Sequence, residues 1–547
     1  MHSMTKEKLY KWWYALCFVF LGIIDQRRGS AVGEIQMLFS NLTGIVIALL
    51  LLPSINLEKG KEKIYLLWTP ICIILGIIAC VVGVHYWQYK GQWFTAVLNV
   101  AVWSYLYIYI YTERNNIEIS EKMKNPIFWA MSFCLLLMQL SVHEGIIPIW
   151  YLLIYGGFML IGIPQDKTEN FFMGMLNGII IWFFIQQIIT FGFRPYDYIR
   201  YKGLYSGETQ NGLFYMIVFC AFILKWINSK EKKEKRFICF FYFFMSAGLV
   251  SFTIFTGGRA PLLGIMVVTA FIFIYYNIFK RKTFYGLILN SVTMILCIIL
   301  TFPATYSCIR YLPTILHHPI WFAGEYVEGE SVCSFDPWDS SKYISFDNVI
   351  NSNVDRILHS IGFKTDKWSP KVSKFKSTLF VQAKEFDKED NAPGSSYDNP
   401  FVIEGNYDVQ NSSLDARKVI YVYYFKHLNF TGHDKYHDGF WFSGNTYYDH
   451  AHNMVLQIAY DYGIIPGILF VLIYLYSLYR ALKMCKRGNW ICIVFLLATL
   501  CFGMVEIVLV SGQIAVTLMI LMFYFTCREM GCSSISWRRE KKCTELR

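Results

Sequence analysis

The stretch D-H-A-H-N-M-V-L-Q-I-A-Y-D-Y-G-I-I-P-G, Asp449 to Gly467, is the densest polar cluster in the chain, placed where a loop turns into an apolar helix. Eight of the 11 histidines fall between His317 and His452, and two of them are here. With a helix beginning near Ala451, i to i+4 spacing sets His452 and Leu456 on one face and Asn453 and Gln457 on the next. His452 then lies in the first turn, where the positive helix end disfavours imidazolium and attracts phosphate. A neutral ring in that place can take a proton from a hydroxyl group, and Asp449 can cap the helix or orient the ring. The plainer account is an interfacial His and Asn that satisfy backbone groups where the chain enters lipid.

Two arginines stand apart from the other basic residues. Arg259 lies in T-G-G-R-A-P, at the outer end of an apolar run. It is either an arginine snorkelling to headgroups or a fixed guanidinium for a lipid-linked phosphate, with glycines letting the backbone approach. Arg417, in L-D-A-R-K-V, opens a short helix expected over about 414 to 428, where Val419, Ile420, Tyr423 and Leu428 recur on one face. A solvated surface arginine is the plainer account there. Arg194 and Arg200 either contact lipid phosphate or acidic sugars or anchor their loop. Glu506, in M-V-E-I-V, is expected inside the bilayer, where a carboxyl group is expensive, as a functional group or as the partner of a buried polar group. His450 is a substitute for His452, and His433 and His437 are candidate acceptor contacts. No zinc set is expected, because no tight ligand pair with an acidic third ligand stands out in the sequence.

These residues need a scaffold, and the composition says which kind. Of 547 residues, 55% are hydrophobic and 16% charged, against roughly 25% charged in an ordinary soluble domain; mean hydropathy is +0.37. A cytosolic globular enzyme is excluded. Apolar runs long enough to cross a roughly 30 Å hydrocarbon core recur about fourteen times. They lie near 11–25, 35–55, 64–84, 93–112, 126–142, 146–163, 170–191, 206–228, 237–256, 260–279, 284–305, 463–480, 490–510 and 512–527. The first run ends at Asp25 and Arg27 without a small-residue cleavage site, so it reads as a span and not a removed signal.

Charge orients the spans. With the N-terminus inside, the cytoplasmic loops and tail hold 29 Lys and Arg and the short outer loops 7, which puts both termini in the cytoplasm. The net charge of +11 divides into −5 over Tyr306 to His450 and +16 elsewhere. The basic balance therefore belongs to membrane loops and not to a nucleic-acid face. The expected organisation is an all-α polytopic integral membrane protein. Residues 1–200 form N-terminal spans, 201–305 further spans, 306–450 one large extracytoplasmic loop, 451–527 the last spans and 528–547 a cytoplasmic tail. No disulfide framework is implied, although a Cys308 to Cys333 bridge is open.

The order of these motifs resembles a family. T-G-G-R-A-P at a span end comes first, then a large outer loop with D-A-R-K-V-I-Y-V-Y-Y-F and F-T-G-H-D, then A-H-N-M-V-L-Q-I-A-Y-D-Y-G-I-I-P-G. This looks like the O-antigen ligase and O-antigen polymerase superfamily. K-G-L-Y-S-G-E-T-Q-N-G-L, Lys202 to Leu213, resembles the preceding outer loop of that family. The likeness runs from about 200 to 525, and the insertion between Pro303 and about Gly405 departs from it. It implies a GT-C-like membrane fold in the bacterial inner membrane, with a metal-independent, inverting glycosyltransferase that needs no cofactor. The implied partners are an undecaprenyl-diphosphate-linked glycan donor, a glycan or lipid acceptor and membrane lipids, with no nucleic acid. By position, His452 matches the family's catalytic histidine and Arg259 and Arg417 its diphosphate-binding arginines; Asn453, Arg194 and Arg200 are further candidate substrate contacts read from the chain itself. Ligase and polymerase remain open, with a slight lean to the ligase. The alternative of another class is a lipid-linked oligosaccharide flippase.

Overall fold

The computed structural model describes residues 2–27, 34–56, 62–85, 90–114, 124–141, 147–193, 200–205, 207–315, 413–433, 440–442, 446–448, 450–507 and 513–528. Asp449, Arg194, His437, Cys333 and nearly all of the inserted segment lie outside them.

Among these residues the regular structure is helical apart from one short hairpin. Each expected apolar run contains a helix, although the one expected at 490–510 is helical only to Gly503: α1 His2–Arg27, α2 Glu34–Leu51, α3 Glu62–His85, α4 Lys90–Thr112, α5 Pro126–Ser141, α6 Ile147–Ile161, α7 Thr168–Phe193, α8 Glu208–Glu231, α9 Arg236–Thr256, α10 Arg259–Ile274 and α11 Phe284–Ile315. The short helix α12 spans Ser413–Lys426, the hairpin pairs β1 Phe440–Phe442 with β2 Thr446–Tyr448 antiparallel, and α13 spans Met454–Tyr462. Then come α14 Ile464–Lys486, α15 Ile491–Gly503 and α16 Ile514–Cys527. Helix α10 continues into a π-helical turn, Tyr275–Lys280, and α11 runs ten residues past the expected end of its span, through Ile315.

Among the described residues seven helices are long and apolar enough to cross a membrane, and six more are apolar but shorter. Their outer faces keep large apolar side chains exposed: Leu140, Ile188 and Phe237 are each about three quarters accessible. In water such a surface would be an aggregation liability, whereas in lipid it is the required solvent contact. Helix α8 is the exception, buried along the whole of its apolar window, so it forms the centre around which α7, α9 and α10 pack. Close approach is set by small residues. Gly174 and Gly178 of α7 lie directly against the Tyr14 Cβ and the Lys11 and Ala15 carbonyls of α1, so any side chain would push the two backbones apart.

Two ends of the bundle differ in chemistry. Lys280, at the end of the π-helical turn, pairs with Glu231, and Lys232 pairs with Glu169 at 3.4 Å. Arg259 begins α10, at the other end of the same helical segment. At 1.5 Å per residue those ends are about 30 Å apart, a hydrocarbon thickness. Helix α10 packs along α15, with Gly264 against the Ala498 carbonyl. Five residues from that contact toward the Arg259 end, α15 ends at Gly503, which in turn lies against Met454 of α13. The polar loops at the start of α13 and the end of α15 therefore share the Arg259 end.

Candidate functional site

Asn453 decides where α13 begins. Its backbone is extended, and its Oδ1 accepts the Val455 and Leu456 N–H groups, both at 3.0 Å. An asparagine cap of this kind satisfies two of the orphan donors of a helix start. The Ala451 N–H donates to Gln457 Oε1 at 2.7 Å, tying the preceding loop to the first turn. The helix thus starts at Met454, three residues later than the expected Ala451. His452 stands before the cap, not in the first turn, and its backbone is left-handed, with φ +46°. That conformation is uncommon for a residue with a Cβ.

The imidazole meets Glu506. Nδ1 of His452 lies 3.0 Å from Glu506 Oε2, and the other carboxylate oxygen, Oε1, accepts from a terminal nitrogen of Arg417 at 3.1 Å. Glu506 sits in the turn that follows α15, its N–H bonded to the Phe502 carbonyl. The carboxylate is only 18% exposed, so the expected partner of a buried polar group has two partners, one cationic.

Arg417 comes from α12, which docks by the face expected from its sequence. Ile420, Tyr423 and Tyr424 bury against Ala451 and Tyr460, with Val419 and Leu428 packed alongside. The Tyr424 and Tyr460 rings meet edge to face at 4.5 Å. One turn beyond Arg417, the Tyr421 hydroxyl is shared between the His452 carbonyl at 3.2 Å and the Met504 carbonyl at 3.3 Å. Burial holds this phenol above its ordinary range, against the pull of Arg417 and with a further push from Glu506. It therefore stays a donor and pins α12 to both loops. Asn453 adds a second tie, its Nδ2 donating to the Met504 carbonyl at 3.1 Å.

The T-G-G-R-A-P turn is built from its glycines and threonine. Gly257 is left-handed at φ +62°, and a Cβ there would meet the Arg200 side chain at 2.9 Å. Thr256 Oγ1 accepts the Gly258 N–H at 3.2 Å. Arg200 Nε donates to the Thr256 carbonyl at 2.8 Å, and its guanidinium lies 3.7 Å from Glu208. Arg200 is thus a brace for the turn. Arg259 is the first residue of α10 and is exposed; Pro261, two residues on, lies in the first helical turn, where its missing N–H costs no intrahelical bond.

Two features were invisible in the sequence. His450 places its ring 4.1 Å from that of His452, and His450, His452 and Glu506 bring one ligand atom each within 4.8 Å of one another. The acidic side chain that the sequence did not show beside these histidines is Glu506, 54 residues after His452. His433, by contrast, stacks flat on Tyr460 at 4.0 Å and bonds its carbonyl at 3.0 Å, which gives the ring a packing role. Compared with known protein families, with curated proteins and with solved structures, the chain shows no match.

Proposed function

We propose that this chain is a multi-pass glycosyltransferase of the O-antigen ligase type, moving a glycan from undecaprenyl diphosphate to an acceptor hydroxyl. The observation that supports it is the continuous chain Arg417–Glu506–His452, a cation and a candidate base joined by one carboxylate. An ionised carboxylate only accepts, so Nδ1–H of His452 donates to it and the lone pair of Nε2 is left to take a proton. That is the pairing a general base needs to activate a sugar hydroxyl. Arg417 has five N–H donors and gives one to Glu506, so others can meet phosphate oxygens. Arg259, with the backbone N–H groups at the start of α10, supplies a second cationic contact. Neutralised in this way, the lipid diphosphate leaves without a metal or a general acid, and attack from the opposite side inverts the anomeric carbon.

In this reading fourteen spans cross a bacterial inner membrane with both termini in the cytoplasm. The site faces outward, on the side expected for the large loop 306–450. A flippase gives no role to a base paired with a carboxylate. The test is transfer by purified protein from a synthetic undecaprenyl-diphosphate glycan in the presence of EDTA, with product stereochemistry read by NMR. Inverted product at undiminished rate is expected. Complete loss on chelation, restored by magnesium or manganese, contradicts the mechanism.

The ligase branch is favoured over the polymerase because an expanded outer loop suits a dock for a distinct acceptor. Deleting the gene separates the branches. A ligase mutant accumulates long polymer on undecaprenyl diphosphate, whereas a polymerase mutant carries single repeats on the final acceptor.

A further inference from the structure

We infer that His450, His452 and Glu506 form a site for a transition-metal ion of the zinc class, and that its occupation switches the transferase off. Two imidazoles and one carboxylate are a ligand set that zinc prefers, leaving a fourth position for water. With zinc–nitrogen and zinc–oxygen bonds near 2.0–2.1 Å, tetrahedral ligand atoms stand about 3.3 Å apart. His452 Nδ1 and Glu506 Oε2 are already 3.0 Å apart. All three ligand atoms lie within 4.8 Å, so a shift of about 1.5 Å by the His450 side chain closes the set. The His452 and Glu506 side chains are 23% and 18% exposed, which lets an ion reach them while limiting competition from water.

Arg417 defines the character of the site. Its bond to Oε1 of Glu506 holds the carboxylate, as outer partners of metal ligands do, but its charge opposes a dication. The expected ion is therefore exchangeable and not structural. A metal on the His452 ring and on Oε2 of Glu506 also replaces the hydrogen bond between them, so metal binding and base catalysis exclude one another. The switching half of the inference rests on His452 being the base; the binding half does not.

The experiment uses full-length protein in detergent, freed of any histidine tag. Cobalt titration of the wild type is expected to develop the strong visible absorption of a four-coordinate ion at one ion per chain. In His450→Ala, His450→Gln and Glu506→Gln, affinity falls by at least the roughly 10- to 100-fold that loss of an outer partner costs a metal site, while His433→Ala binds as the wild type does. Elution of each variant as a single species checks folding. Cobalt affinity unchanged in both His450 variants and in Glu506→Gln, or no four-coordinate spectrum, overturns the site whatever the protein catalyses. In the transfer assay, zinc is expected to inhibit the wild type, EDTA to restore it, and His450→Ala to keep most of its turnover while losing most of its zinc sensitivity. Stimulation by zinc, or equal inhibition of His450→Ala, overturns the switch.

Discussion

Nδ1 of His452 and Oε2 of Glu506 stand 3.0 Å apart across 54 residues of chain. One comes from the loop before α13 and the other from the turn after α15, and Tyr421 and Asn453 each bond across that junction to the Met504 carbonyl. The pair is thus held from both sides by groups that do not themselves do chemistry. Glu506→Gln keeps the shape of the side chain but removes the charge that fixes the imidazole tautomer. Turnover is expected to fall about 100-fold or more with little change in KM, since a misoriented base loses much of a general-base contribution of about 100- to 10,000-fold. Steady-state kinetics on both proteins checks it, and a loss confined to KM assigns Glu506 to donor binding instead.

Arg259→Lys and Arg417→Lys are both expected to be poorly active although each keeps its charge. A lysine is a point charge and cannot reproduce a planar fork on two phosphate oxygens. Direct binding of the lipid diphosphate should weaken in each variant. Unchanged affinity in both moves the diphosphate site elsewhere, with Arg194 the next candidate.

Asn453 was expected as a substrate contact, and in the structure both ends of its amide are engaged by the protein itself. Asn453→Ala should cost about 1 kcal/mol for the lost cap and lower activity through the His452 loop. Asn453→Asp, which also caps, should recover most of that stability in a thermal melt. If Asn453→Asp melts with the wild type yet is as inactive as Asn453→Ala, the side chain contacts substrate directly.

The helices were legible because lipid allows no other solution: with no water to bond to, a backbone that crosses must bond to itself, and the apolar runs that allow this are continuous in sequence. The docking face of α12 was legible for a similar reason, its apolar residues recurring three and four apart. The start of α13 was misread by three residues, although Asn453 directly before an apolar stretch is a cap signal that points to Met454. G-M-L-N-G, Gly174 to Gly178, is a small-residue spacing that went unread in the sequence and that packs α7 closely on α1. What sequence could not give is the meeting of Arg417, His452 and Glu506. They belong to three separate segments, and periodicity within one helix carries no information about which loops share an end of the bundle. The same limit concealed the acidic ligand beside His450 and His452.

Whether His452 is the base is decided by paired alanine variants at positions 452 and 450. Both rings sit in the same loop 4.1 Å apart, so a general disturbance of that loop affects both variants alike. Transfer from the undecaprenyl-diphosphate glycan is to be measured on purified His452→Ala and His450→Ala at equal folded amount, with EDTA present. His452→Ala is predicted to lose about 100- to 10,000-fold in turnover and His450→Ala much less. Near-normal turnover by His452→Ala rules out His452 as the base.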